Sequence, residues 1–129
     1  MKYKAVILVV EDEPIIRFNA VELLNLTGFE ALGAKNADEA ISILEARSDI
    51  HLVFTDVEMP GTMDGIKLAH YIRGRWPEVH LIVASGRTFV KESDLPPSSK
   101  FFTKPYDDRK VVAEINKMLS ANNADGTSH

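Results

Sequence analysis

The sequence predicts a doubly wound α/β domain, in which helices cover both faces of a five-stranded parallel sheet. Short apolar runs alternate with segments of helical periodicity, and such βαβ units place their strands in parallel. The first, third and fourth runs are nearly continuous in apolar residues, as strands buried on both faces should be. The five runs are AVILVV (5–10), FEALGA (29–34), IHLVFT (50–55), VHLIVA (79–84) and KFFT (100–103).

The first two helices carry recognisable end signals. Pro14 is a favoured first residue of a helix, and Gly28 has the position of a C-terminal cap glycine. Asn36, with Glu39 three residues on, has the form of an N-terminal capping pair. These signals place one helix between the first two strands and another between the second and third.

The third and last helices are bounded in the same way. Asp64 can cap a third helix that Pro77 stops, because proline cannot continue a helix. A last helix begins after Asp107 or Asp108. With the strands in the order 2-1-3-4-5, the second and fifth runs suit the edges of the sheet.

The fourth connection, GRTFVKESDLPPSSK, is the exception to the regular alternation. Only 88–95 could be helical before Pro96 and Pro97 forbid continuation. We therefore expect one or two turns, or an irregular loop, in place of a full fourth helix.

Composition limits the classes of protein that the chain can belong to. The 129 residues suit one domain, expected over 1–120, with a disordered polar tail over 121–129. The chain has no cysteine, which excludes disulfides and thiolate metal sites, and its net charge of −4 argues against a nucleic-acid surface. No apolar run is long enough to span a membrane, and the basic, then apolar, N-terminus lacks a cleavage site, so we expect a cytoplasmic protein.

Polar side chains follow four of the predicted strands where these strands end. Glu11 and Asp12 follow the first strand, Asp56 the third, Ser85 the fourth and Lys104 the fifth. Ligands of open α/β sheets bind beyond these carboxyl ends. Three carboxylates in one crevice repel each other, and a hard cation such as Mg²⁺ would relieve the repulsion.

The ammonium of Lys104 and the hydroxyl of Ser85 can both contact the oxygens of a phosphoryl group. The polar residues at the strand ends therefore predict phosphoryl transfer to a carboxylate. Positioning and charge neutralisation supply most of the catalysis in such a reaction. Each residue alone has an ordinary structural explanation, since acids favour helix starts and Ser-Gly and Lys-Pro pairs favour turns. Their joint occurrence at neighbouring strand ends favours the functional interpretation.

Four motifs, VVEDEP, FTDVEMPGTMDG, VASG and FFTKPY, closely resemble the receiver domain of two-component response regulators. The resemblance covers the chain to about Leu119 and implies a flavodoxin-like (βα)5 sandwich. The curtailed fourth helix resembles that of a subgroup of short, stand-alone bacterial receivers.

The resemblance implies specific roles for the residues at the strand ends. Asp56 would be the phosphoacceptor, and Lys104 would contact the phosphoryl group. Asp12 would bind Mg²⁺ directly, Glu11 largely through water, and the backbone carbonyl of Glu58 would complete the protein ligands.

Two further residues match the switch positions of the family. Ser85 matches the switch hydroxyl, and Phe101 matches the switch aromatic, although it lacks a hydroxyl and must act by packing alone. The resemblance also implies a cis peptide bond between Lys104 and Pro105. The loop after Asp56 is one residue longer than the frequent form of this motif.

The function implied is that of a single-domain response regulator in a two-component phosphorelay. A histidine kinase or a histidine phosphotransfer domain would supply the phosphoryl group, and the signal would pass to an unknown downstream protein or through phosphate flow. Such a domain is no turnover enzyme, because it catalyses only its own Mg²⁺-dependent phosphotransfer and dephosphorylation. The alternatives are a phosphorylation-independent binding module of the same fold and a haloacid-dehalogenase-like phosphohydrolase.

Overall fold

The computed structural model describes residues 4–87 and 89–127, with the backbone alone for 121–127. Strands and helices alternate as the sequence predicts, and all five strands and four helices begin or end close to the expected residues. The elements are β1 (Val6–Val10), α1 (Pro14–Leu26), β2 (Glu30–Ala34), α2 (Ala37–Ala46), β3 (Ile50–Asp56), α3 (Gly65–Arg75), β4 (His80–Ser85), β5 (Ser99–Thr103) and α4 (Asp108–Thr127).

The strands form one parallel sheet in the order β2-β1-β3-β4-β5. This confirms the predicted doubly wound topology, with β2 and β5 at the edges. The three central strands are buried along almost their whole length, which explains their continuous apolar sequences. Their carboxyl ends lie side by side at one edge of the sheet.

The core consists of two apolar layers, one on each face of the sheet. In the layer under α2 and α3, the fully buried side chains include Leu8, Val53, Leu68, Ile72 and Leu81. In the layer under α1 and α4, the fully buried side chains are those of Ile7, Leu52, Ile82 and Ile115. A sheet anchored on both faces holds its strand ends in fixed positions, which a precise site requires.

The predicted helix signals act as expected at the ends of α1 and α2. Gly28 follows α1 with a φ of 104°, a conformation that glycine adopts without steric cost. The Asn36 side chain accepts a hydrogen bond from the Glu39 amide at 2.9 Å. The Glu39 carboxylate accepts in return from the Lys35 amide at 2.7 Å, one residue before the cap.

The start of α3 is held against the end of β3. Asp64 caps this helix by accepting from the Lys67 amide at 2.9 Å, as predicted. The Gly65 amide donates to the Val57 carbonyl at 3.0 Å. A Cβ at Gly65 would lie 2.0 Å from the Asp56 carbonyl oxygen, so only glycine permits this approach.

The fourth connection contains one short turn of 3₁₀-helix, Glu92–Asp94, in place of a helix. This confirms the prediction from the Pro96-Pro97 pair, although Thr88 lies outside the described residues. The turn is attached to α3, because His70 Nε2 donates to the Asp94 carbonyl at 2.7 Å.

Arg73 of α3 holds the neighbouring loops by three backbone contacts. Its Nε donates to the Pro97 carbonyl at 3.1 Å, and its Nη1 donates to Pro77 at 3.0 Å and Val79 at 2.8 Å. Burial lowers the pKa of this guanidinium below its usual value. One side chain thus links the end of α3 to the segment that replaces a fourth helix.

The last helix is described as far as Thr127. The assignment of a disordered polar tail to 121–129 stays a prediction, because only the backbone of 121–127 is described and Ser128 and His129 lie outside the described residues. Across the described parts of the chain, we find no helix with the length and apolar character that crossing a membrane requires.

Candidate functional site

The fold brings the predicted polar residues to one edge of the sheet. Glu11 directly follows β1, Asp56 ends β3, Ser85 ends β4 and Lys104 directly follows β5. Because β1, β3, β4 and β5 are neighbours in this order, the four residues border a single crevice. Asp12 reaches the same crevice from the loop between β1 and α1.

Three carboxylates and one ammonium meet in this crevice. Glu11, Asp12 and Asp56 each offer an oxygen atom within 4.8 Å of the others. Lys104 Nζ lies 2.8 Å from Asp56 Oδ1 and 3.7 Å from Glu11 Oε1. The ammonium therefore neutralises part of the charge, but three carboxylates still face one cation.

Burial and mutual repulsion perturb the ionisation of the two most buried acids. Burial raises the pKa of Glu11, although the Glu13 amide, donating to Glu11 Oε2 at 3.0 Å, opposes this effect. Burial also raises the pKa of Asp56; the contact with Lys104 opposes it, and the charges of Glu58 and Asp12 add to it. Burial lowers the pKa of Lys104, but the interactions with Asp56, Glu11 and Tyr106 together outweigh that effect and the net pKa is raised.

The donor set fits a hard divalent cation. Asp56 Oδ1 is buried and lies 2.8 Å from Lys104 Nζ. A buried carboxylate beside two further carboxylates supplies the oxygen ligands that Mg²⁺ prefers. Among the described residues, Glu11, Asp12 and Asp56 form the single group of three acidic or histidine side chains close enough to share a metal ion.

Backbone contacts fix the position of Glu11. Its amide donates to the Ala34 carbonyl at 3.0 Å, which continues the pairing of β1 with β2 beyond the end of β1. Arg17 of α1 donates from Nη1 to the Glu11 carbonyl at 2.8 Å. The acidic loop therefore has a defined conformation, which a set of metal ligands requires.

Ser85 and Gly86 face the carboxylate of Glu58. Ser85 Oγ donates to Glu58 Oε2, and the Gly86 amide donates to Glu58 Oε1 at 3.3 Å. The family resemblance assigns Glu58 a backbone carbonyl, and the contacts of its side chain with Ser85 and Gly86 are an addition from the structure. A carboxyl group two residues beyond Asp56 was the available signal.

Phe101 lies on β5, where it pairs in register with Val83 of β4. Its half-buried ring packs against the core layer under α2 and α3, so it borders the sheet near Ser85 rather than the acidic crevice. The expected cis peptide bond between Lys104 and Pro105 is present. The Lys104 amide donates to the Ser85 carbonyl at 2.9 Å, which joins the ends of β4 and β5.

The loop after Asp56, which is one residue longer than the frequent form of the motif, contacts α2. Gly61 adopts a φ of 109°, which favours glycine. Thr62 Oγ1 then donates to Asp38 Oδ1 of α2 at 2.9 Å. The longer loop thus reaches a neighbouring helix, a contact that the sequence motif alone does not indicate.

A separate cavity of about 530 Å³ lies at the other end of the strands, where β3 and β4 begin. It is lined by residues that begin β3 and β4, including Ile50 and His80, and by Trp76 at the end of α3. The group of three carboxylates lies at the other edge. The candidate functional site is therefore the acidic crevice at the carboxyl ends of the strands and not this larger cavity.

The parallel sheet and its acidic crevice, with Lys104 beside it, define the class of signalling domains that accept phosphoryl groups. A family model for the response regulator receiver domain matches residues 7–116. The chain therefore belongs to the response regulator receiver family of two-component systems.

Relatives of known name cover nearly the whole chain. The response regulator receiver protein CpdR of Brucella abortus is 33% identical over 118 residues, which are 89% of this chain and 97% of CpdR. The sensor kinase CckA of the same organism is 31% identical over 121 residues, but these cover 89% of this chain and only 12% of CckA.

Solved structures confirm the flavodoxin-like fold. The receiver domain of the hybrid histidine kinase CckA aligns with a TM-score of 0.75 at 32% identity, covering 88% of this chain and 98% of that domain. A response regulator receiver protein from Pseudomonas putida aligns with a TM-score of 0.82 at 31% identity, covering 91% and 99% of the two chains.

Proposed function

We propose that Asp56 is the phosphoacceptor of this receiver domain, and the observation that carries the proposal is its place in the crevice. Asp56 is only 7% exposed, ends the central strand and contacts Lys104 at 2.8 Å. A buried carboxylate held in place beside an ammonium can react with a phosphoryl donor whose oxygens that ammonium also contacts. No other acid in the described chain combines this position with a lysine contact and two neighbouring carboxylates.

The residues around Asp56 have separate tasks in the proposed transfer. An Asp56 oxygen attacks the phosphorus of the donor, the bond from phosphorus to the donor's leaving group breaks, and an acyl phosphate forms on Asp56. Lys104 holds a phosphoryl oxygen by its charge, and the hydroxyl of Ser85 is a donor for a second oxygen. Pre-positioned donors of this kind stabilise the charge that builds up on those oxygens.

Mg²⁺ is the proposed cofactor, and its contribution when bound is charge neutralisation at the transferring phosphoryl group. Asp12 and Asp56 would hold it directly, and Glu11 largely through water. The backbone carbonyl of Glu58 would complete the protein ligands. The fit rests on the three clustered carboxylates described above.

Receiver domains accept phosphoryl groups from histidine kinases, and we propose a histidine kinase or a histidine phosphotransfer domain as the donor here. The near-complete coverage of CpdR supports a stand-alone receiver. The proposed location is the cytoplasm, and the proposed output is a partner protein or phosphate flow. Ser85 and Phe101 are the proposed switch residues. Phosphotransfer from each histidine kinase of the host would identify the donor.

Intact-protein mass spectrometry after incubation with acetyl phosphate tests the proposed acceptor. We expect wild type to gain the mass of one phosphoryl group when Mg²⁺ is present, and Asp56→Asn to gain none. Asp49→Asn is the matched control, because Asp49 is an exposed residue that pairs with Arg47 at the opposite edge of the sheet. Equal uptake by wild type and Asp56→Asn, or none by either, would refute the assignment.

A further inference from the structure

The carboxylate of Glu58 occupies the hydrogen-bond donors at the end of β4. Ser85 Oγ donates to one of its oxygens, and the Gly86 amide donates to the other at 3.3 Å. Hydrogen bonds to a charged acceptor are stronger than those between neutral groups. The half-buried side chain of Glu58 is therefore bound at the site.

The same two donors lie at the end of the strand next to Asp56. Asp56 pairs in register with Ala84, the residue before Ser85, so the ends of β3 and β4 lie next to each other. The Glu58 carboxylate is close enough to Asp56 for the two charges to oppose each other. A phosphoryl group on Asp56 would bring three acceptor oxygens and a charge of about −1.5 to −2 into this space.

We propose that the Glu58 carboxylate is an internal substitute for the phosphoryl group. It holds Ser85 and Gly86 while Asp56 is unmodified, and it must leave them before these donors can bind a phosphoryl group. The inference rests on the proposed phosphorylation of Asp56 and gives the Glu58 side chain control over the rate of that reaction. This role is separate from the backbone carbonyl that the family resemblance assigns to Glu58.

The exchange of one anion for another has a definite energetic consequence. Ser85 and Gly86 keep a negatively charged acceptor before and after the reaction, so few hydrogen bonds are lost at these donors. The cost of phosphorylation includes the displacement of Glu58, which has to exchange its contacts with Ser85 and Gly86 for water. A variant without this carboxylate avoids that cost and should react faster.

Rates of phosphoryl uptake test the proposal. Wild type, Glu58→Gln and Glu58→Ala are incubated with Mg²⁺ and either acetyl phosphate or phosphoramidate, and uptake is followed by intact mass. We expect both Glu58 variants to react about tenfold faster with each donor, which corresponds to about 1.4 kcal/mol. Glu78→Gln is the matched control, because it removes the same charge from an exposed residue next to β4 at the opposite edge of the sheet, and its rate should equal that of wild type.

The amide resonance of Gly86 provides a readout that general charge effects do not move. In wild type this amide keeps a charged acceptor on phosphorylation, so its chemical shift should change little. In Glu58→Ala the amide gains such an acceptor only on phosphorylation, so its shift should change more. A Gly86 shift that changes equally in both proteins would contradict the substitution of one anion for another.

The kinetic outcomes separate this proposal from the proposed function. Equal or slower uptake by the Glu58 variants would overturn the role of Glu58 and leave Asp56 as the acceptor. Acceleration with acetyl phosphate alone would also overturn it, because simple repulsion affects the more negatively charged donor most. Absence of uptake in every protein would overturn the proposed function, and this inference with it.

Discussion

Replacement of Gly65 by alanine should destabilise the domain and displace the proposed phosphoacceptor. The new Cβ would lie 2.0 Å from the Asp56 carbonyl oxygen, 2.7 Å from its carbonyl carbon and 2.8 Å from the Val57 Cα. All three are backbone atoms, so no side-chain rotation relieves the contact. The substitution therefore has to move either β3 or the start of α3.

Neither element can move without loss of other contacts. The Val57 amide donates to Ala84 of β4 at 2.9 Å, and the Gly65 amide donates to Val57 at 3.0 Å. Overpacking alone costs about 1–3 kcal/mol, and the strained hydrogen bonds add to this. We expect the free energy of unfolding to fall by about 3 kcal/mol or more, from a total of roughly 5–15 kcal/mol, with a fall in Tm of about 10 °C.

Urea denaturation followed by circular dichroism measures this loss, and Gly74→Ala is the matched control. Gly74 belongs to the same helix, but a Cβ there meets no atom within 4 Å. Alanine at this position should raise the free energy of unfolding by about 0.5–1 kcal/mol, because it restricts the unfolded chain and favours the helix. The same substitution thus has opposite signs at two positions of α3. A Gly65→Ala protein within 1 kcal/mol of wild type would refute the argument.

Three further predictions concern stability. Asp64→Ala should cost about 1 kcal/mol of unfolding free energy, because the Lys67 amide loses its cap; a urea midpoint unchanged from wild type would contradict this. Arg73→Lys should cost roughly 1–3 kcal/mol, since an ammonium cannot reach all three backbone carbonyls, and native-state hydrogen exchange should increase in the loop before β5. Burial lowers the pKa of His80, and the charges of Arg73 and His51 lower it further. The unfolded chain therefore takes up the proton before the folded chain does as pH falls below about 6.5. Wild type should therefore lose more stability than His80→Gln between about pH 7.5 and about pH 5.5, and parallel urea midpoints would disprove the assignment.

The fold could be predicted because its signals are local and periodic. Pro14, Asn36 and Asp64 mark helix starts by chemistry that involves only neighbouring backbone atoms. Continuous apolar runs identify strands buried on both faces, and the alternation of strands and helices limits the topology to a few possibilities. The Pro96-Pro97 pair likewise excludes a full fourth helix from local sterics alone.

The position of the candidate site could also be predicted, but the pairing of its side chains could not. Topology decides which strand ends are neighbours, and this places Asp56 between Glu11 and Ser85, with Lys104 one strand further along, before any side-chain conformation is known. The contact of Glu58 with Ser85 joins residues 27 positions apart, and no periodic pattern reports it. The close approach of Gly65 to Asp56 likewise cannot be predicted, because a glycine at the start of a helix is ordinary in sequence.

Two of the contacts that the sequence did not reveal bear on Asp56, one at its backbone and one at the donors near its carboxylate. Gly65 packs against the backbone of Asp56 and so holds the end of β3 in position. Glu58 takes the donors that the carboxylate would need once it carries a phosphoryl group. A rigid backbone with an exchangeable anion beside it lets the reaction change side-chain contacts without moving the sheet. Loss of Gly65 should therefore reduce both stability and phosphoryl uptake, whereas loss of the Glu58 carboxylate should increase uptake alone.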